Sequence, residues 1–96
     1  MKDKIHLLNQ PGAYSIILEL LRRKDETIYI TELLNVLNNY PRLCSLLEDM
    51  EGKDLVKISR LEKRQERRIV KLTEKGETLA NYLDLADKLL SNEKAD

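Results

Sequence analysis

The residues with chemistry to offer crowd into one stretch of the chain. From Lys53 to Lys75 there are nine Lys or Arg against four Asp or Glu, a local excess of five positive charges. Six of the cations, Lys57, Arg60, Lys63, Arg64, Arg67 and Arg68, lie in or between two short apolar runs, Leu55 to Ile58 and Arg68 to Leu72. Cations at that density neutralise the phosphates of a nucleic acid and release its condensed counterions. The competing reading is a solvated hairpin in which Glu62 and Glu66 pair with the same cations. Over the whole chain 17 basic and 17 acidic residues cancel, which argues against a coat-like binder working on bulk charge alone.

Other chemistry is thin. Cys44 is the single cysteine and His6 the single histidine, so neither a disulfide framework nor a Cys/His metal set can be assembled. Cys44 reads as a small packing residue, because Arg42 is the only basic group beside it in sequence. Three glycines leave no material for a phosphate-cradling loop, and no Ser or Cys has a histidine base at a recognisable spacing. Tyr14, Tyr29, Tyr40 and Tyr82 read as packing residues with wet hydroxyls. The expectation is a protein that is not an enzyme and carries no metal or other cofactor. No apolar run approaches the ~18 residues of a spanning helix, and no signal peptide opens the chain, so no membrane partner is expected and the expected location is the cytoplasm.

The elements that must position the cations follow from periodicity. Ile5, Leu7 and Leu8 form an amphipathic lead-in, and Asn9 to Gly12 punctuate the chain, with Asn as a cap and Pro11 tolerated in a first turn. Ala13, Ile16, Ile17, Leu20 and Leu21 recur at helical spacing. Thr27 to Ile30 suits a short strand. Thr31 is a candidate N-cap for a short helix through Leu33, Leu34 and Leu37 to Asn38. Pro41 opens a second helix with Leu43, Leu46, Leu47 and Met50 as its stripe, and Gly52 closes it. Two short helices joined by about three residues make a helix-turn-helix candidate. The period then changes to two strands around the polar segment from Ser59 to Arg67. Thr73 caps a last helix in which Leu79, Tyr82, Ala86 and Leu89 recur, widened by Leu83 and Leu90, and residues 92–96 read as a frayed tail. At 96 residues the chain is one domain, with a core of about 11–72 and a C-terminal helix of about 73–91.

This order resembles the winged-helix fold of small bacterial and archaeal regulators, MarR-like and PadR-like. Two motifs carry the likeness. The run from Leu47 to Val56 is similar to the end of a recognition helix, its turn and the first wing strand. The run from Val70 to Gly76 is similar to the second wing strand, a Thr cap and the following helix. The resemblance implies an α+β, mainly helical winged helix-turn-helix: a three-helix core, a β-hairpin wing and a C-terminal helix. It implies a supporting helix over Thr31 to Asn38, a recognition helix of about 41–51 in the major groove, and a basic wing of 59–68 on the backbone or minor groove of double-stranded DNA. Arg42 and Ser45 would face base edges, Arg by a bidentate contact to guanine, while Glu48 and Asp49 on the same exposed side would be repelled by phosphate. The last helix would join a homodimer through Leu79, Tyr82, Leu83, Ala86, Leu89 and Leu90. The main expectation is a dimeric DNA-binding transcriptional regulator. Two alternatives stand beside it: a winged-helix module that binds protein after losing DNA, and an architectural DNA binder with little sequence preference. Whether a small-molecule effector exists is left open.

Overall fold

The computed structural model describes residues 6–62 and 67–93 of the chain. It opens on a 3-10 turn, Leu7–Asn9, in which the His6 Nδ1 accepts the Leu8 N–H at 3.1 Å and Leu7 is buried. Neither Asn9 nor Pro11 starts the first helix. Gly12 does, at φ 85°, a left-handed conformation that L side chains rarely adopt. Helix α1, Ala13–Arg22, buries Ala13, Ile16, Ile17 and Leu20 of the stripe expected from spacing, and Leu21 packs partly buried against them. At its C-terminal end Arg23 meets Glu26 at 2.7 Å and Glu32 at 2.6 Å, tying the helix end to the next element.

Strand β1 is short, Ile28–Tyr29, and the expected supporting helix differs in kind. Ile30–Asn35 is a 3-10 helix instead of an α-helix from Thr31 to Asn38. Its buried side chains, Ile30 and Leu33, are three apart, and a three-residue pitch stacks them on one edge. Thr31 is exposed and does not cap it. Glu32 does that work, accepting the Tyr29 N–H at 3.1 Å while it holds Arg23.

Helix α2, Tyr40–Gly52, starts at Asn39, whose Oδ1 accepts the Arg42 N–H at 3.1 Å. Leu43, Leu46, Leu47 and Met50 are buried. Gly52 is the last helical residue and does not supply the left-handed turn expected of it. Asp54 does, at φ 64°. The Asp54 N–H bonds to the Glu51 carbonyl at 3.0 Å and the Leu55 N–H to the Met50 carbonyl at 2.9 Å, the paired bonds of a Schellman ending. The reason is apolar: two residues beyond Gly52 are needed for Leu55 to reach the core beside Met50.

Strands β2, Val56–Glu62, and β3, Arg67–Leu72, pair antiparallel, and β1 joins the far side of β3, so the order is β1-β3-β2. Thr73 caps α3, Glu74–Glu93, by accepting the Gly76 N–H at 2.9 Å. The start of α3 also receives three consecutive carbonyls from the turn after α2. Lys75 Nζ donates to Lys53 at 3.0 Å, the Thr73 hydroxyl to Asp54 at 2.6 Å, and the Thr73 N–H to Leu55 at 3.0 Å. Gly76 sits so close that a Cβ there would overlap the Leu55 carbonyl oxygen and lie 2.9 Å from its carbon. From α3, Ala80 is buried, and Leu79 and Leu83 pack against the core. All the buried apolar side chains form one cluster, and no polar side chain among the described residues is buried.

Two outcomes follow. Gly76→Ala should lower unfolding stability by about 1–3 kcal/mol because the joint must open. Gly52→Ala, with nothing within 4 Å of the added carbon, should hold or raise stability by up to about 1 kcal/mol; denaturant melts of both variants check the contrast. The Tyr29 N–H first, and the Arg23 guanidinium second, hold the Glu32 carboxyl below the usual carboxylate range. A lowered folded value gives stability that is present at neutral pH and lost as acid protonates the folded carboxylate. Glu32→Gln should therefore separate from the wild type in melts at neutral pH and converge with it only in acid, once the pH falls below the usual carboxylate range.

Candidate nucleic-acid interface

At about 100° per residue, the four buried residues of α2 leave a crest on the opposite side formed by Pro41, Ser45, Glu48 and Gly52, all exposed. The flanks of the helix are occupied differently. On the side toward the hairpin, Arg68 of β3 donates from Nη2 to the Tyr40 hydroxyl at 3.3 Å and lies 3.5 Å from the Cys44 Sγ. A turn or two further along, Glu51 accepts the Ile58 N–H of β2 at 3.2 Å. On the side toward the N-terminal turn, Asp49 accepts from Gln10 Nε2 at 3.2 Å, and Arg42 and Asp49 line an open groove with His6, Gln10 and Pro11. Arg42 is exposed, as expected, but on a flank; Ser45 is on the crest.

The hairpin divides its cations by the pleat. Arg60 pairs with Arg68, Ile58 with Val70 and Val56 with Leu72, and alternation places these six on the face that continues the core and looks toward α2. Lys57 pairs with Lys71, so this pair stands on the opposite face. A shift in register between Arg60 and Glu62 then brings Glu62 opposite Arg67. Like charges placed directly opposite one another are unfavourable. Among the described residues no acid pairs with them: the ion pairs there belong to Arg22, Arg23, Lys24 and Lys88. Lys63, Arg64 and Glu66, with the side chains of Glu62 and Arg67, lie outside the described residues.

Thus Arg68, with Arg60 opposite it, is brought to the Tyr40–Cys44 flank of α2, and Lys57 is set apart with Lys71, a residue the sequence reading did not single out. Cys44 does have a second basic neighbour, Arg68, brought to it by the fold across a gap that spacing along the chain conceals. The Tyr40 hydroxyl, accepting from Arg68, pushes that guanidinium's pKa up. No group of three or more metal-ligating side chains occurs among the described residues. Nor is any helix there long and apolar enough to cross a membrane.

On α3 the residues expected at a subunit contact split into two sets. Leu79 and Leu83 pack on the chain's own core. Tyr82, Leu89 and Leu90 are 61–67% exposed, Ala86 is exposed, and Leu85, which the spacing did not select, is 63% exposed. A helical wheel with a wide apolar stripe cannot by itself say where the core stops.

No protein-family model matches the sequence, and no curated protein matches it. Solved structures do match. A transcriptional regulator homologue from Pyrococcus horikoshii OT3 superposes with a TM-score of 0.74 at 24% identity, over 94% of this chain and 89% of its own. A mutant of MepR from a multidrug-resistant S. aureus clinical isolate gives 0.76 at 15% identity, and this chain spans 61% of its length. Sso10a-2, a DNA-binding protein from Sulfolobus solfataricus, gives 0.66 at 22% identity over 88% of this chain and 86% of its own.

The fold is a winged helix. The mostly helical body, the three-stranded antiparallel sheet and these neighbours agree with the resemblance to MarR-like regulators, and α2 and the β2–β3 hairpin stand where that fold has its second helix-turn-helix element and its wing.

The brace between wing and helix has a measurable consequence. Glu51→Ala should speed amide exchange at Ile58 by up to about five-fold, the equivalent of one hydrogen bond near 1 kcal/mol, and leave the exchange of the α2 core residues unchanged.

Proposed function

We propose that the chain is a DNA-binding transcriptional regulator that inserts α2 into the major groove and lays the β2–β3 hairpin along the backbone or minor groove. The observation that carries this reading is the pair of opposed cations on each hairpin face, with no acid among the described residues to offset them, beside an exposed helix braced in place. The regulator homologue from Pyrococcus horikoshii, the DNA-binding protein Sso10a-2 and S. aureus MepR, solved in complex with DNA, support it. In this assignment Ser45 and Arg42 address the groove. Arg60, Lys63, Arg64 and Arg67 hold phosphates, Arg68 holds the wing against α2 and adds its charge, and Lys57 contributes from the other face.

Dimerisation through α3 belongs to the same proposal. Tyr82, Leu85, Ala86, Leu89 and Leu90 leave a large apolar area in water, and covering it against a second copy would set two recognition helices at two half-sites. Leu79 and Leu83 would border that contact from the chain's own core. A second reading, a winged-helix module that binds protein, is favoured by the acids of α2, Glu48, Asp49 and Glu51.

Salt titration of duplex binding separates the two. A regulator using about five phosphate contacts should show a log–log slope near −4.5, and charge reversal at Arg60 and Arg64 should flatten it by about two. Absence of duplex binding at low salt would leave the protein-binding module. Sedimentation should give twice the 11.2 kDa chain mass, and Leu85→Glu with Leu89→Glu should return it to one while the helix content holds.

A further inference from the structure

We infer that Glu48 is a base-reading residue, whose carboxylate takes the exocyclic amino group of cytosine in the major groove; the inference rests on the DNA-binding reading above. The three acids of α2 are not equivalent in the fold. Glu51 is committed to the Ile58 N–H and Asp49 to Gln10. Glu48 is exposed and makes no hydrogen bond or ion pair among the described residues. It also sits on the crest itself, one turn after Ser45 and one turn before Gly52. Nothing lies within 4 Å of the space a Gly52 Cβ would fill, so the end of the helix can approach a groove floor closely on this side.

Base chemistry then narrows the partner. An ionised carboxylate only accepts hydrogen bonds. In the major groove guanine and thymine present acceptors, and adenine presents its amino group beside the N7 acceptor. Cytosine presents a donor without an adjacent acceptor on its own edge, so it is the base that suits Glu48. The same charge works against other placements. A carboxylate on the leading edge of the helix is repelled by phosphate wherever its acceptor finds no donor, which weakens binding to wrong sequences as well as strengthening the right one.

Selection from a randomised duplex pool tests this, using the full-length wild type, Glu48→Ala, Glu48→Gln and Asp49→Ala. The wild type should enrich cytosine about ten-fold at one position of each half-site. Glu48→Ala should lose that enrichment at that position alone and bind random duplex several-fold more tightly, with the salt slope unchanged. Glu48→Gln should move the preference toward adenine, and Asp49→Ala should leave the selected base as it was. Retention of the cytosine preference in Glu48→Ala overturns the assignment, as does a wild type that binds duplex with a steep salt slope and enriches no base. In both of those cases the DNA-binding reading survives. A wild type that binds no duplex at all overturns both together.

Discussion

The turn from Lys53 to Leu55 is the point through which the rest of this molecule is connected. Leu55 gives its N–H to Met50 near the end of α2 and its carbonyl to Thr73 at the start of α3. Its side chain is buried in the common core, and the backbone of Gly76 rests against its carbonyl. Carbonyls at a helix end need partners, and here the neighbouring helix supplies them in sequence order, from Lys75 and Thr73. The direction in which α3 leaves the body is thereby fixed relative to α2, because neither can turn without breaking bonds to three successive carbonyls. Any partner that α3 holds is held at a set distance from α2.

The wing is attached to α2 by a second set of contacts, and these use side chains of the kind usually assigned to DNA. Arg68 reaches back to Tyr40 and Cys44, and Glu51 takes a strand N–H at the free edge of the sheet. One cation and one anion are thus spent on holding the hairpin to the helix. The remaining charges are sorted in the process. The acid-rich helix is left with Glu48 uncommitted on its crest, while Lys57, Arg60 and Lys71 on the hairpin remain without acidic partners among the described residues. A chain whose formal charges cancel acquires a surface where they do not.

The parts of the fold that were readable in advance are those governed by local spacing. The stripes Ala13–Ile16–Ile17–Leu20 and Leu43–Leu46–Leu47–Met50 are buried as their periods require, and Thr73 caps the helix it precedes. Local preference gives way where packing opposes it. Thr31 is a better cap than Tyr29 by type, yet the Arg23–Glu32 bridge and the three-residue spacing of Ile30 and Leu33 select a 3-10 helix that starts earlier. Gly52 is the better left-handed residue, but burying Leu55 moves that geometry to Asp54, which tolerates it. On α3 the stripe was legible as a whole, and its division between the chain's own core and solvent was not.

Composition and period, acting alone, set the order of helical and extended segments but not the kind of helix at Ile30–Asn35, concentrated the positive charge between Lys53 and Lys75, and placed the cap at Thr73. These are properties of neighbours along the chain, where a spacing of two, three or four residues decides what shares a face. Which acid is free and which is employed, which arginine braces and which projects, and which leucines of α3 remain in water were decided only by the tertiary structure. Those outcomes depend on partners 7 to 69 residues away, from Glu51 and Ile58 to Tyr14 and Leu83, and only the packed chain brings them within hydrogen-bonding reach.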